Sequence, residues 1–302
     1  MAKEIESGQT ALKEVVLGND EVILMQDIGF SYGKKPLFSH LNLAIRRGNI
    51  YGLLGKNGSG KTTLLKLLCG QLFPDEGYTS ALGFDPIGRK PEMLSEIFYL
   101  PEEFPLPKMK AEQYLKMRSV FYPRFDHAMF DQFCKDFDLD MQQNLNEMSL
   151  GQKKKLLLAF GLASNTSLLI LDEPTNGLDI PSKRQFRQTV ASAMTEDRTF
   201  IISTHQVRDM ENLIDPLIIL HDGAIIFNEG VDSITDKYVM SLVTTDPQQD
   251  ALVAYKEKVL GGWIVLKERG EQEEETQGQP LDLETLFNVV VENPTLMQGG
   301  TK

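Results

Sequence analysis

The stretch G-K-N-G-S-G-K-T at residues 55–62 decides the fold of this 302-residue chain. It fits the phosphate-binding pattern G-x-x-x-x-G-K-[ST] and lies between a predicted buried strand, "NIYGLLG" (49–55), and a predicted helix from Lys61 to Leu72. Glycines let backbone N–H groups turn toward phosphate oxygens, Lys61 reaches the β- and γ-phosphates, and Thr62 offers a hydroxyl to Mg²⁺. A chance glycine turn would lack the flanking strand and helix, so the context favours a nucleotide site.

A second stretch, "LLILDEP" (168–174), places Asp172 and Glu173 at the end of a buried apolar strand. Open parallel sheets hold their ligands at this edge. Two adjacent carboxylates are costly there unless a cation offsets them. Asp172 is therefore the predicted Mg²⁺ partner of Thr62, and Glu173 is predicted to deprotonate a water that attacks the γ-phosphate. The alternative is that both acids only cap the following turn.

A second anion-binding pattern opens the predicted helix in "NEMSLGQKKKLLLA" (146–159). Ser149 and Gly151 precede an apolar run, and small polar residues with free backbone N–H groups at a helix start can hold an anion. Three lysines, 153–155, follow. We expect them to form a solvated face, with direct phosphate contact as the alternative.

Composition limits the possible functions. The chain has 41% hydrophobic and 25% charged residues, and its net charge of -12 opposes binding to nucleic acid through phosphate contacts. No run approaches the roughly 18 apolar residues that a membrane span needs. The start "MAKEIESGQT" lacks the regions of an export signal, so the sequence predicts a protein that stays inside the cell. Cys69 and Cys134 lie in apolar surroundings without metal spacing and are predicted to be buried, reduced thiols.

The order of strand-like and helix-like segments predicts an α/β fold. Strands and helices alternate around a mostly parallel sheet, with an antiparallel β part near the start and a helical insertion before the second carboxylate strand. In that insertion, Phe130, Phe133 and Phe137 follow helical spacing and predict core packing, and Asp126 is placed as a helix N-cap. Helices are predicted near 182–196 and at 207–213, and a hairpin is predicted to turn at 222–223.

The pattern weakens past Gly230. Residues 270–278 have the composition of a solvated acidic loop, and "LDLETLFNVVVEN" (281–293) predicts a short amphipathic helix. We expect residues 231–302 to regulate the protein or support dimerisation, because they hold no nucleotide motif.

The motifs, in their order and spacing, resemble those of the ATP-binding subunit of ABC transporters, a P-loop NTPase family. The resemblance rests on 55–62, on "MSLGQ" (148–152) as the signature, on 168–173, on "NGLD" (176–179) as the D-loop and on "STH" (203–205) as the switch. It implies an ATP-binding domain over residues 21–230 with a helical subdomain at about 103–160. The predicted N-terminal extension at 1–20 and small C-terminal region at 231–302 lie outside the part of the chain that carries the resemblance.

The resemblance also assigns roles to residues. The catalytic residues would be Lys61, Glu173 and His205, and the Mg²⁺ site would involve Thr62, Asp172 and Glu102. ATP would contact Tyr32, Gly55, Lys56, Asn57, Gly58, Ser59, Gly60, Lys61, Thr62, Thr63, Ser149, Gly151, Gln152 and Asp179. Tyr32 stands where the family stacks an aromatic ring on adenine, and a tyrosine that merely ends a strand is the alternative.

In the family, two ATP-binding subunits sit head to tail, and each nucleotide lies between one chain's glycine loop and the other chain's signature. The resemblance therefore implies that Ser149 and Gly151 complete the partner's ATP site, which explains why one chain carries two anion patterns. The implied partners are a second ATP-binding subunit, identical or different, and an integral membrane permease of ABC-2 type. The implied function is ATP hydrolysis that drives transport, in the direction of export, from the cytoplasmic face of the cell membrane.

Three positions depart from the family pattern. Met148 and Leu150 replace the first Leu and the first Gly of the signature, and Leu150 adds a side chain where close backbone approach is expected. Glu102 replaces the Q-loop glutamine and adds a negative charge beside Asp172 and Glu173. We expect a working site, with altered catalytic coupling at Glu102.

The sequence lacks the features that are typical of other functional classes of ABC ATPase. A DNA-repair or chromosome-organising member would carry long coiled-coil heptads between the glycine loop and the signature, and none are present. A ribosome-acting member would usually carry two cassettes and basic extensions, whereas this chain has one cassette and is acidic. A module that binds ATP without hydrolysis would have lost the base or the switch, and both Glu173 and His205 are present.

Overall fold

The computed structural model describes residues 20–210, 212–247, 253–269 and 282–294. The strands are β1 (Glu21–Tyr32), β2 (Lys35–Arg46), β3 (Ile50–Leu54), β4 (Glu76–Ala81), β5 (Ile97–Leu100), β6 (Leu168–Asp172), β7 (Thr199–Thr204), β8 (Leu217–His221), β9 (Ala224–Glu229), β10 (Tyr238–Val243), β11 (Val253–Val259) and β12 (Gly262–Glu268). The α-helices are α1 (Lys61–Leu68), α2 (Pro91–Leu94), α3 (Ala111–Ser119), α4 (His127–Asp136), α5 (Leu150–Ala163), α6 (Ile180–Ser192), α7 (Asp232–Thr235) and α8 (Leu283–Glu292). Short 3-10 helices cover Pro86–Gly88 and Val207–Met210.

The central sheet has six strands in the order β5-β6-β7-β3-β8-β9. All neighbours are parallel except β8 and β9, which form the predicted antiparallel hairpin. Strands β3, β6 and β7 are buried along their whole length, as expected for a parallel sheet that is covered on both faces. Because these three strands are parallel neighbours, the residues that follow them meet at one edge of the sheet.

A separate antiparallel sheet, in the order β2-β1-β4, covers one side of the central sheet. Its apolar side chains form one core with α1 and one face of the central strands. Tyr32 ends β1 beside the start of α1, so this sheet carries a side chain to the edge where the glycine loop lies. The predicted fold class, a mostly parallel core with an antiparallel β part and a helical insertion, is confirmed.

Helices α3, α4 and α5 form the predicted helical insertion. The side chain of Asp126 accepts a hydrogen bond from the Met129 N–H and caps α4, as predicted. The three phenylalanines at 130, 133 and 137 are buried, which confirms their predicted role in the core. Helix α5 joins the insertion to the sheet, because Phe160 packs against rings from β5, α3, α4 and the segment between the two helices.

Three helix bounds differ from the prediction. Helix α1 ends at Leu68 instead of Leu72, because Gly70 adopts a left-handed backbone with φ of 65° just past its end. The helix predicted near 182–196 begins earlier, at Ile180, where the side chain of Asp179 caps it through the Ser182 N–H. The helix predicted at 207–213 is only a 3-10 turn over Val207–Met210.

The C-terminal region contains more structure than its weak pattern predicted. Strands β10, β11 and β12 form a third, antiparallel sheet, and the predicted terminal helix is present as α8. Buried side chains of β10 and α8, among them Tyr238 and Leu286, belong to the same core cluster as the helical insertion. The predicted acidic loop at 270–278 and residues 1–19 of the predicted N-terminal extension lie outside the described residues.

Both cysteines are buried, free thiols, as predicted. Burial raises the pKa of the Cys134 thiol to about 12, and burial also raises the pKa of Cys69. Within the described ranges, no helix has the length and apolar character that crossing a membrane requires.

Phe160 offers a test of how the insertion is anchored. Phe160→Ala removes a buried ring and leaves a cavity, so it should lower the free energy of unfolding by about 3–5 kcal/mol. Urea denaturation measures this change. Phe121→Ala is the matched control, because Phe121 is 65% exposed and its loss should change the stability little. Equal effects of the two substitutions would contradict the anchoring role.

Candidate functional site

The glycine loop connects β3 to α1 at the edge of the central sheet. Gly58 and Gly60 have φ of 80° and 107°, a left-handed region that glycine adopts without strain. A Cβ on Gly60 would also lie 2.8 Å from the Phe38 ring, whereas a Cβ on Gly58 would meet open space. The loop therefore packs against the antiparallel sheet on one side and presents its backbone to a cavity on the other.

Lys61, the first residue of α1, folds back over this loop. Its Nζ donates to the carbonyl of Gly55 at 2.8 Å and lies 3.9 Å from Oε1 of Glu173, with the side chain only 7% exposed. Burial lowers the pKa of Lys61, and the carboxylates of Glu173, Asp172 and Glu102 oppose that shift. The loop thus holds a largely desolvated cation at the point where phosphate would bind.

Asp172, at the end of β6, is buried and receives hydrogen bonds from three hydroxyl groups. Thr62 Oγ1 donates to Oδ2 at 2.7 Å, Tyr99 donates to the same oxygen at 3.4 Å, and Ser203 donates to Oδ1. The structure therefore brings together Thr62 and Asp172, the pair predicted to hold a metal ion. Tyr99 and Ser203 had no assigned role of their own in the sequence, although Ser203 belongs to the predicted switch motif.

Glu173 follows Asp172 and has an unusual backbone. Its φ is 46°, a left-handed conformation that costs a residue with a side chain about 1–3 kcal/mol. The N–H of Glu173 donates to both the carbonyl and the hydroxyl of Ser203. Its Oε1 lies 2.8 Å from Nδ1 of His205, so the predicted base and the predicted switch residue are in contact.

The second carboxylate oxygen of Glu173 is unusual in a different way. Oε2 is buried and, among the described residues, has no hydrogen-bond partner. A buried acceptor without a partner is costly, and such groups in native structures often mark a place for a ligand or a water. The geometry therefore leaves one lone-pair position of the predicted base open to a proton donor.

These groups share one cavity of about 530 Å³. This volume is within the range of small-molecule sites. The cavity is lined by Tyr32, Lys35, Pro36, Leu37, Asn57, Gly58, Gly60, Lys61, Thr62, Thr63, Glu102, Asp172, Glu173 and His205. The sequence prediction missed Lys35, Pro36 and Leu37, the first three residues of β2.

Tyr32 and Glu102 both line this cavity. The Tyr32 ring is 54% exposed, and its hydroxyl lies 3.2 Å from Oγ1 of Thr63, so one ring face is available to a flat ligand. Glu102 is exposed and accepts a hydrogen bond from the side chain of Asn176 at 2.9 Å. Glu102 therefore faces the cavity from the segment after β5.

The remaining predicted nucleotide contacts lie outside this cavity. Gly55 and Lys56 border a neighbouring cavity next to α8, and Ser59 lies within the loop itself. Ser149 caps α5: its Oγ accepts from the Gln152 N–H at 3.2 Å, while the Gln152 side chain accepts from the Ser149 N–H. Ser149 is exposed, and Asp179 caps α6. The described residues that line the glycine-loop cavity do not include Ser149, Gly151, Gln152 or Asp179.

The predicted solvated face of three lysines is wrong at its middle residue. Lys154 is buried, and its Nζ donates to the carbonyls of Glu173 and Asn176 at 2.8 and 2.7 Å. A signal for this was present in the sequence, because Lys154 is three and four residues before Leu157 and Leu158 and therefore shares their buried helix face.

Comparison with known proteins agrees with this geometry. Residues 38–176 match the family model described as ABC transporter. The chain is 31% identical over 212 residues to the bacitracin transport ATP-binding protein BcrA of Bacillus licheniformis, with 68% of each chain covered. It is 31% identical over 214 residues to the lantibiotic transport ATP-binding protein SrtF of Streptococcus pyogenes, with 70% of this chain and 92% of the relative covered. The chain belongs to the ABC transporter ATP-binding family.

A solved structure supports the fold of this family member. The structure entitled "Structure of ATP binding subunit of ABC transporter" superimposes with a TM-score of 0.65 at 23% identity, covering 70% of this chain and 91% of that one. The ABC transporter ATP-binding chain is an ATPase, and the cavity bordered by the glycine loop is its candidate ATP site.

Two substitutions separate nucleotide binding from hydrolysis in this site. Lys61→Ala removes the buried cation and should abolish ATP binding. Glu173→Gln keeps the shape of the side chain without its basicity, so it should bind ATP and lose turnover by roughly a hundredfold or more. Fluorescent-nucleotide titration and phosphate release measure the two effects. Full turnover by the Glu173→Gln variant would contradict its assignment as the base.

Proposed function

We propose that this ATPase drives export of a substrate through a separate ABC-2-type membrane permease, and that it does so by ATP-dependent dimerisation. The observation that carries the proposal is the separation of two anion-binding elements on one chain. The glycine loop shares its cavity with Asp172, Glu173 and His205. The start of α5, where Ser149 is exposed, contributes none of the described residues that line that cavity.

Within the cavity, each side chain has a distinct proposed role. The loop and Lys61 hold the phosphates, and the exposed ring of Tyr32 stacks on adenine. Glu173 takes a proton from the attacking water through the oxygen that has no partner among the described residues. His205, in contact with the other oxygen of Glu173, fixes the orientation of that carboxylate.

The residues present also fit a Mg²⁺ ion. A hydroxyl and a carboxylate, Thr62 and Asp172, are already 2.7 Å apart, and hard oxygen ligands of this kind are those that Mg²⁺ selects. When bound, Mg²⁺ would neutralise charge on the phosphates of ATP. Glu102 faces the same space and is the proposed third contributor.

The second anion-binding element completes the site of a partner chain in this proposal. Ser149 caps α5, and Gly151 and Gln152 lie in its first turn, where backbone N–H groups and the helix dipole favour an anion. Asp179, the last residue of the D-loop motif, is exposed. One chain carries a full set of motifs, so a homodimer would hold two equivalent sites, and a heterodimer with a related subunit is the alternative.

A groove beside the helical insertion is the proposed docking surface for the permease. It has a volume of about 820 Å³ and is bordered by α2, β5 and the end of α3. Val120 and Phe121 stand exposed at its rim, and exposed apolar patches mark interaction sites. Tyr99 lies in the wall of the groove and also contacts Asp172, so the groove borders the ATP site directly.

Export is the proposed direction of transport. The relatives BcrA and SrtF are named for transport of bacitracin and of a lantibiotic. A bacterial Atm1-family ABC exporter with ATP bound has the same fold over 72% of this chain, with a TM-score of 0.62 at 19% identity. The proposed location follows from the permease partner, namely the cytoplasmic face of the cell membrane.

The proposed ATP-binding domain spans residues 21–230, and residues 231–302 are proposed to support it. Helix α8 packs against the 3-10 turn that follows His205, and Arg208 forms an ion pair with Glu284 at 2.5 Å. The terminal helix thus contacts the segment next to the switch residue. This position suits a regulatory or dimer-supporting role.

Mixed dimers test whether the signature acts on the partner's nucleotide. Ser149→Arg should abolish hydrolysis by crowding the γ-phosphate, and Lys61→Ala should abolish it by removing the cation. A dimer of one chain of each kind has one intact site if the signature acts in trans, so mixing two inactive proteins should restore part of the ATPase activity.

The control is a mixed dimer of wild type with the Ser149→Arg/Lys61→Ala double variant. If the signature acts in trans, this dimer has two half-defective sites and should be less active than the first mixture. If the signature acts in cis, the wild-type chain of the control dimer keeps an intact site. The control dimer should then be the more active of the two mixtures. Equal activity of the two mixtures, with subunit exchange verified, contradicts the proposed trans arrangement.

A charged substitution at the rim of the groove tests whether this groove binds the permease. Phe121→Asp should leave the basal ATPase of the isolated chain unchanged and release the chain from membranes that contain its permease, because it places a carboxylate in an apolar contact. Leu260→Asp is the matched control, since Leu260 is also exposed but lies in the β11–β12 turn. Retention of the Phe121→Asp chain on those membranes would overturn the docking assignment.

A further inference from the structure

The three consecutive lysines at the start of α5 have different environments. Lys153 and Lys155 are half-buried, and Nζ of Lys155 lies 5.9 Å from the centre of the Phe137 ring. Lys154 is 3% exposed, and its ammonium donates to the carbonyls of Glu173 and Asn176. One of three adjacent, chemically identical side chains therefore reaches the segment that carries the proposed base.

Lys154 helps to hold the backbone of Glu173 in its left-handed conformation. The left-handed conformation of Glu173 needs restraint from both sides, because it is less stable than the common backbone regions. Ser203 of β7 holds the N–H of Glu173, and Lys154 of α5 holds its C=O. The peptide groups on the two sides of the Glu173 side chain are thus anchored to two different elements.

The second hydrogen bond of Lys154 extends this restraint along the chain. It holds the carbonyl of Asn176, whose side chain in turn donates to Glu102 at the cavity. Burial lowers the pKa of Lys154, and the carboxylates of Glu102, Glu173 and Asp172 oppose that shift. Hydrogen bonds from an ammonium group are stronger than those between neutral groups, so the two bonds form a stiff link.

We infer that Lys154 is a positioning residue for hydrolysis: it sets the backbone of Glu173 and thereby the direction of the carboxylate. This inference rests on the proposed role of Glu173 as the base. The same side chain joins α5, which Ser149 caps, to the catalytic segment. In the proposed dimer, each chain contributes Ser149 to the partner's ATP site and Glu173 to its own ATP site. Lys154 therefore links the two sites, because it contacts the Glu173 segment from the helix that Ser149 caps.

The test is a double-mutant cycle between Lys154→Met and Glu173→Gln in the full chain. Met has nearly the length of Lys without donors or charge. We expect Lys154→Met to lower kcat roughly tenfold to a hundredfold, the effect of a misplaced catalytic group, with the Kd for fluorescent ATP unchanged. In the Glu173→Gln background, Lys154→Met should cause almost no further loss in single-turnover hydrolysis. Lys153→Met and Lys155→Met are matched controls and should keep wild-type kcat.

A readout that needs no nucleotide accompanies the kinetics. Hydrogen exchange of the peptide spanning residues 173–178 should be faster in Lys154→Met than in either control, because the segment loses two restraints. Lys154→Arg keeps a cation with several donors and should recover part of kcat. If Lys154→Met does not fold, Lys154→Gln, which is too short to reach both carbonyls, takes its place in the cycle.

The outcomes separate this inference from the proposed function. Wild-type kcat in Lys154→Met beside an inactive Glu173→Gln overturns the inference and leaves the base assignment intact. Multiplicative losses in the double variant also overturn it, since they show that Lys154 acts independently of Glu173. Full turnover by Glu173→Gln overturns both. The positioning role is supported if the kcat losses of Lys154→Met and Glu173→Gln do not multiply in the double variant, and if hydrogen exchange of residues 173–178 is faster only in the Lys154 variants.

Discussion

The burial of one carboxylate, that of Asp172, is the constraint around which the site is organised. An ionised carboxylate away from water is costly unless hydrogen bonds and cations compensate it. The compensation comes from Thr62 after β3, Tyr99 on β5 and Ser203 on β7. These three elements adjoin β6 or lie one strand further along the same parallel sheet. The strand order therefore determines which side chains can surround the carboxylate. The glycine loop follows the end of β3, Glu173 follows the end of β6, and His205 follows the end of β7.

Much of this arrangement could be predicted from the sequence, because it depends on local rules. The glycine pattern between a strand and a helix predicts the loop, and an apolar run ending in two acids predicts β6 and its edge position. The parallel core follows from alternation of strands and helices. The hydroxyl of Tyr99 could not be found in this way, since only the register of β5 against β6 brings it to Asp172. Lys154 was misread because three adjacent lysines look alike until their helix faces are distinguished.

The C-terminal sheet shows a different limit of sequence reasoning. Its strands are only partly buried and mix apolar with polar residues, so their pattern is weaker than the fully buried strands that identify β3 and β6. The sheet is held by pairing between strands and by a core that it shares with distant elements, including the helical insertion. Contacts of this kind depend on tertiary structure, and a local pattern carries little information about them.

The two native thiols have a practical consequence for biophysical work on this protein. Reaction with maleimide or iodoacetamide probes requires an accessible thiolate, and both Cys69 and Cys134 are buried with raised pKa values. A cysteine introduced at an exposed position would therefore react far faster than either native thiol, without prior removal of the native pair. Spin or fluorescent labels placed at Val120 and Ile180, which are both exposed, would then report distances between the helical insertion and the D-loop edge as nucleotide is added.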